Sequence, residues 1–309
     1  MAEADNQLSR DQGRGAPRNS LRLFLIAIAI LLLVFGKPLF DLIKLAVAND
    51  LYSYIPLIPF ISLYLVWLQK NKLPAFGEPA AKLAAIFFAG GLMTMIAYWW
   101  TRHSMKLVPE DYLAFNIFAL LLFFVGVCAA FLDGKFLRAI IFPISLLIFM
   151  VPLPDIFRND LETFLQYGSV AVAGGFFTIF GLPFLQMGLS FKLPDITLEV
   201  APECSGIHSS LVLFIVSLLA GHLFLRGPWK RTILVVAIIP LALLRNGFRV
   251  FVLGELCVHL GPQMIDSPIH HHGGPLFFVL SLIPFFLLLI FLRKSETRKV
   301  KSGSKIIQK

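Results

Sequence analysis

The stretch TILVVAIIPLALLRNGFRVFVL, residues 232–253, decides the fold. Its first thirteen residues carry no charge, and the whole run exceeds the roughly 20 residues a helix needs to cross a hydrocarbon core. Lipid offers backbone groups no hydrogen-bond partner, so such a run has to satisfy them internally as a helix. Arg245, Asn246 and Arg249 interrupt its second half. An arginine at the centre of a span costs about 2.5 kcal/mol or more, so it marks function by default. Arg245 and Arg249 stand four residues apart, on one helical face. Arg249 is near enough to the interface to snorkel. Arg245 lies deeper and needs a partner or a wet cavity; pairing with an acid on another span is the plain structural alternative. Asn246, on the same turn, is able to bond a peptide backbone or orient a side chain.

Similar runs recur outward from this one. Hydrophobic residues make up 58% of the 309 and charged residues 15%, which excludes an ordinary soluble domain. The pattern predicts an all-α, polytopic transmembrane helical bundle with eight spans, near 21–36, 51–68, 83–100, 112–132, 139–152, 208–225, 232–253 and 275–292. Residues 1–20 read as a disordered cytoplasmic tail, 21–292 as the transmembrane domain, and 293–309 as a basic cytoplasmic tail. The first run reads as a retained signal anchor. Residues 164–184 are apolar but glycine-rich and contain Gln166; they read as a re-entrant or interfacial segment, with a ninth span as the rival.

Charge chooses between these counts. The net charge of +9 suggests nucleic acid only until its distribution is considered. With eight crossings and a cytoplasmic N-terminus, the cytoplasmic segments take Arg10, Arg14, Arg18 and Arg22; Lys70, Lys72 and Lys82; Lys135 and Arg138; Arg226, Lys230 and Arg231; and the basic residues from Arg293 onward. That is nineteen of the 27 Lys and Arg, against six in the outer segments, as the positive-inside rule requires. A ninth crossing would put the Arg226 cluster and the C-terminal tail outside. The expected setting is a multi-pass protein of the cytoplasmic (inner) membrane, with both termini inside and the lipid bilayer, not nucleic acid, as its surroundings.

This topology brings three chemical groups to the outer face. Cys204, in the turn-prone run Val200-Ala201-Pro202-Glu203-Cys204-Ser205-Gly206, precedes the sixth span. Helix N-terminal amides lower a thiol pKa and stabilise a developing oxyanion, so Cys204 is a candidate nucleophile. Ser205 or Ser209 is placed to cap that helix. The bland alternatives are a small buried loop residue or a disulfide with Cys257; Cys128, mid-span, reads as an inert buried thiol. Arg249 closes the seventh span, and His270, His271 and His272 precede the eighth. Any of the three is a candidate base, and His208 competes. Consecutive histidines are not the i, i+4 pair of a helical metal site, so no metal or cofactor is expected, with zinc as a minority reading.

Together these residues resemble the exosortase/archaeosortase family of membrane transpeptidases. The resemblance rests on the Cys204-Ser205-Gly206 box after its apolar-acidic lead-in, on Asn246 and Arg249 as an Asn-x-x-Arg box, and on His270 with Gly274 and Phe278. Met150-Val151-Pro152-Leu153-Pro154 and Leu193-Pro194 are similar too, so it runs from Phe142 to Phe291. The triple histidine and Pro275, which stands where an aromatic often follows the glycine, depart from the pattern. The resemblance implies catalysis by Cys204, Arg249 and His270, supported by Glu203, Ser205, Gly206, Arg245 and Asn246. It implies substrates that are membrane-anchored proteins with C-terminal sorting signals: a Pro-Glu-Pro-like motif, an apolar span and a basic tail. A transporter or scaffold with an arginine anion site and a histidine metal site is the competing reading.

Overall fold

The structure, a computed structural model, describes residues 16–73, 79–104, 108–194, 196–202, 205–261, 263–264 and 274–307. Prolines set its helix breaks. A proline lacks the N–H that would reach the carbonyl four residues back, and its ring clashes with that carbonyl. Helix α1 (Ala16–Val34) ends four residues before Pro38, and α2 (Gly36–Ala48) continues after a 64° bend. The short helix α6 (Gly134–Ala139) ends four before Pro143, which lies in α7 (Ile141–Leu146). By the same rule α10 (Pro228–Val236) ends four before Pro240, in α11 (Ile238–Leu260). The remaining helices are α3 (Leu57–Leu68), α4 (Ala81–Ser104), α5 (Pro109–Phe131), α8 (Asp155–Phe180), α9 (Ile207–Phe224) and α12 (Gly274–Ile307).

Among the described residues seven helical segments are long and apolar enough to cross a membrane, or eight if the bent α1–α2 pair is one span. The chain is therefore an all-α polytopic bundle. Three of the expected spans change form. The first is the bent pair. The fifth, expected over 139–152, is only the short apolar piece Ile141–Met150. Residues 164–184 do not form a hairpin: most belong to the unbroken 26-residue α8, which is itself of span length. Gly174 and Gly175 pass through α8 without ending it. The basic C-terminal tail is not irregular either, because α12 runs on through Ile307.

The chain divides into two compact units, residues 1–155 and 156–309. In the first, α5 lies along α4, and the short pieces after α5 return beside it. The Ala80 amide bonds the Ala129 carbonyl at one end, and the Asp155 amide bonds the Asp111 carboxylate at the other. An apolar cavity of about 890 Å³ opens in this unit, lined by Phe24, Leu31, Leu63, Phe124, Ile144 and Met150 among others.

The second unit holds an element absent from the expected all-helical pattern. Three short strands, β1 (Leu185–Met187), β2 (Ser190–Lys192) and β3 (Thr197–Glu199), form an antiparallel meander. Gly188, at φ 62°, supplies the first turn, in a conformation other residues adopt only at a cost. Phe191, Leu198 and Val200 face inward onto Phe177 of α8 and Phe251, Leu253 and Cys257 of α11. That packing explains why α11 runs to Leu260 rather than ending near 253, which leaves Arg249 in mid-helix. At the opposite end of α11, beyond α10, the Glu296 carboxylate accepts from the amides of Arg226 and Gly227, and Lys230 Nζ donates to Leu292 O and Ser295 Oγ.

Helices α8 and α11 meet through glycines. A Cβ on Gly247 would stand 2.5 Å from Val172, one on Gly168 2.6 Å from Leu243, and one on Gly254 2.7 Å from Phe177. Close backbone approach through small residues is how membrane helices gain packing energy, since lipid supplies no hydrophobic drive between them. Gly247→Val should therefore overpack this contact and cost about 1–3 kcal/mol. Gly175→Val, at a position with nothing within 4 Å, should leave stability near wild type. Thermal unfolding of the two variants in detergent checks this; equal midpoints would refute the packing account.

Candidate active site

Helix α9 begins at Gly206, whose φ of 72° lies in the left-handed region. Two demands require glycine here. The backbone conformation is one, and space is the other: a Cβ would stand 2.9 Å from Arg245 Nη2 and 3.0 Å from Asn246 Oδ1. The Ser205 amide donates to Pro202 O at 3.0 Å. Glu203 and Cys204, between those two residues, lie outside the described residues, as do His270, His271 and His272. Their flanks are what the structure describes.

Four donors converge on the Gly206 carbonyl. The Ser210 amide supplies the ordinary helical bond at 3.0 Å. Ser210 Oγ donates at 2.8 Å, Ser209 Oγ at 3.1 Å and Arg245 Nη2 at 3.1 Å. Arg245 Nη2 also lies 3.2 Å from Ser210 Oγ, which can accept from it. Ser209 therefore points its hydroxyl back to the helix start as a donor and does not cap the first-turn amides. Ser205 accepts from the Ile207 amide, though at a long 3.4 Å. Among the described residues Arg245 is thus no partner of an acid on another span: its recorded bonds go to the first turn of α9. Its side chain is 8% exposed, and Nη1 is buried with no hydrogen-bond partner among the described residues.

Asn246 is fixed from the other side. Its Nδ2 donates to Ser169 Oγ at 2.9 Å, and Ser169 in turn donates to Leu165 O at 2.6 Å. One turn earlier on α8, Gln166 Nε2 donates to Val200 O at 2.9 Å. Residues of α8 therefore hold both Asn246 and the strand that leads toward Cys204. Sequence reasoning passed over Gln166, Ser169 and Ser210. A usable signal existed: Gln166 and Ser169 stand at i, i+3 in an apolar run, on one face.

The structure brings Ser205, Gly206, Arg245 and Asn246 together. Arg249 lies four residues beyond Arg245, about 6 Å further along α11, and is half-buried. Of the rivals, Cys257 is a free thiol buried in the apolar cluster with Phe177 and Phe191, which answers the proposed disulfide. Cys128 is likewise free and buried. His208 sits half-buried in the first turn of α9. His259 pairs with Glu255 at 3.1 Å within α11.

Arg245→Met removes a charged donor whose bonds contribute about 1.5–3 kcal/mol each. Amide exchange over 207–210 should accelerate tenfold or more, while exchange in α12 stays unchanged. Gly206→Ala should loosen the same turn, because left-handed backbone costs a side-chain-bearing residue about 1–2 kcal/mol and the added Cβ displaces Arg245. Wild-type exchange in both variants would show that the turn is held by something else.

A family model described as transmembrane exosortase matches residues 46–287, more than three quarters of the chain. The match covers every side chain of the site just described, and the chain belongs to that family. No curated protein and no solved structure matches.

Proposed function

We propose that this exosortase-family chain is a membrane-embedded cysteine transpeptidase that cleaves C-terminal sorting signals at the outer face of the cytoplasmic membrane. The observation that carries the reading is the hydrogen bond from Arg245 to the Gly206 carbonyl, which fixes the N-terminus of α9 two residues after Cys204. A nucleophile next to such a turn has the helix's positive end nearby, which favours a thiolate and a developing oxyanion. Burying an arginine inside a span to hold one carbonyl is costly, and a catalytic turn justifies the cost.

The chemistry is acyl transfer. The Cys204 thiolate attacks the scissile carbonyl, a C–S bond forms, and the C–N bond breaks to leave a thioester. His270 gives a proton to the departing amine. An acceptor carrying an amine, a hydroxyl or water then loses its proton to His270, attacks the thioester and releases the thiolate. Arg249 hydrogen-bonds the oxyanion. Arg245 and Asn246 act through the turn, as positioning residues, and Glu203 and Ser205 complete it. A substrate span with a basic cytoplasmic tail sets its motif at the outer face, where the positive-inside pattern puts Cys204; both termini of the enzyme are then cytoplasmic.

The test is processing of a reporter that carries a Pro-Glu-Pro motif, an apolar span and a basic tail. Cys204→Ala should abolish shortening while the protein remains folded and inserted, and Arg249→Lys should lower the rate at least tenfold, since an ammonium cannot reproduce the planar fork. Shortening at the normal rate by Cys204→Ala would end the thiol mechanism. Chelators should leave the activity intact; loss under chelation would turn the histidine tract into a metal site.

A further inference from the structure

The meander places an unpaired strand edge directly upstream of the nucleophile. In an antiparallel ladder the backbone groups of alternate residues face the neighbouring strand. The Leu193 amide bonds Ile196 O, and the Val200 amide bonds Leu189 O. With Phe191 opposite Leu198, those bonds mark residues 196, 198 and 200 as the ones facing β2. Alternation turns the N–H and C=O of Thr197 and Glu199 to the other edge. Among the described residues no strand pairs there, because β3 is last in the order β1-β2-β3. Among the described residues no hydrogen bond is recorded for these four groups, and both side chains are exposed.

This edge is rigidly held. Phe191 and Leu198 anchor the sheet in the apolar cluster on α8 and α11. Val200 is pinned twice, by its amide to Leu189 O and by its carbonyl to Gln166. Cys204 lies five residues beyond Glu199, a reach of at most about 18 Å. The strand is short and carries a charge, as isolated edges do when they must not pair indiscriminately.

We propose that β3 is the substrate-docking strand: an extended peptide segment of the substrate, next to its scissile bond, adds to the sheet beside Thr197 and Glu199. The inference rests on the transpeptidase reading and supplies its missing substrate-binding element. Two outward donors and two outward acceptors, two residues apart, match one face of an extended chain, the pattern of strand addition. A motif with prolines around one ordinary residue suits a short edge. The central residue pairs, and the prolines, lacking N–H groups, stop the ladder from growing.

Proline in the enzyme tests the geometry, because the N–H of residues 197 and 199 points outward and its removal spares the β2–β3 ladder. In the full-length chain reconstituted with the same reporter, Glu199→Pro and Thr197→Pro should each raise KM at least tenfold with kcat within about threefold. Iodoacetamide should label Cys204 in both at the wild-type rate. Wild-type KM in both proline variants overturns the proposal. A second measurement does not depend on their folding. In the Cys204→Ala background, a photo-crosslinking side chain at Thr197 should capture the reporter, whereas one at Met187 on the far edge should not. Capture at Met187, or at neither, also overturns it. If the wild-type chain leaves the reporter uncut while Thr197 captures it, the docking strand stands and the thiol chemistry falls.

Discussion

A guanidinium buried in a membrane helix and bonded to one backbone carbonyl organises the second unit. Arg245 cannot be moved to water without unwinding α11, and it cannot stay in the span without acceptors. Gly206 O and Ser210 Oγ supply them. The bond therefore works in both directions, making the arginine tolerable and fixing where α9 begins. Gly206 has to be glycine for the approach to be possible at all. Ser205, Gly206 and the first turn of α9 are thus tied to one point on α11.

The packing of α8 on α11 is what keeps that point in place. Gly168, Gly247 and Gly254 let the two helices approach, and the approach brings Ser169 within 2.9 Å of Asn246. A wider spacing would break that buried bond, whose net contribution is about 0.5–1.5 kcal/mol. Dispersion contacts and polar contacts reinforce each other here. The extension of α11 past Arg249 serves the same end, because its last turns support the sheet that carries β3.

Much of this was legible in the residues. Uninterrupted apolar runs announced the helices, since backbone in lipid has no alternative. Arg245 and Asn246 stood out because charged and polar groups within such runs need a reason. The three helix breaks, four residues before Pro38, Pro143 and Pro240, were not read from the chain, and Pro284 inside the unbroken α12 shows why: a proline alone does not say which helix will break. Residues 164–184 misled through Gly174 and Gly175: glycine weakens a helix in water, yet both pass through the unbroken α8. The strands were missed because each is only three residues long, too short for alternation to register against apolar surroundings.

By itself, then, the sequence determined that this is a polytopic helical membrane protein and which chemical groups it carries, because hydropathy and charge act locally along the chain. Only the tertiary structure decided which groups meet. Among the described residues, Arg245 serves the first turn of α9, Asn246 is held by Ser169 77 residues earlier, and Thr197 and Glu199 present an open edge. Those outcomes depend on the spacing and rotation of packed helices, which arise from contacts between residues distant in sequence and leave no local trace in the chain.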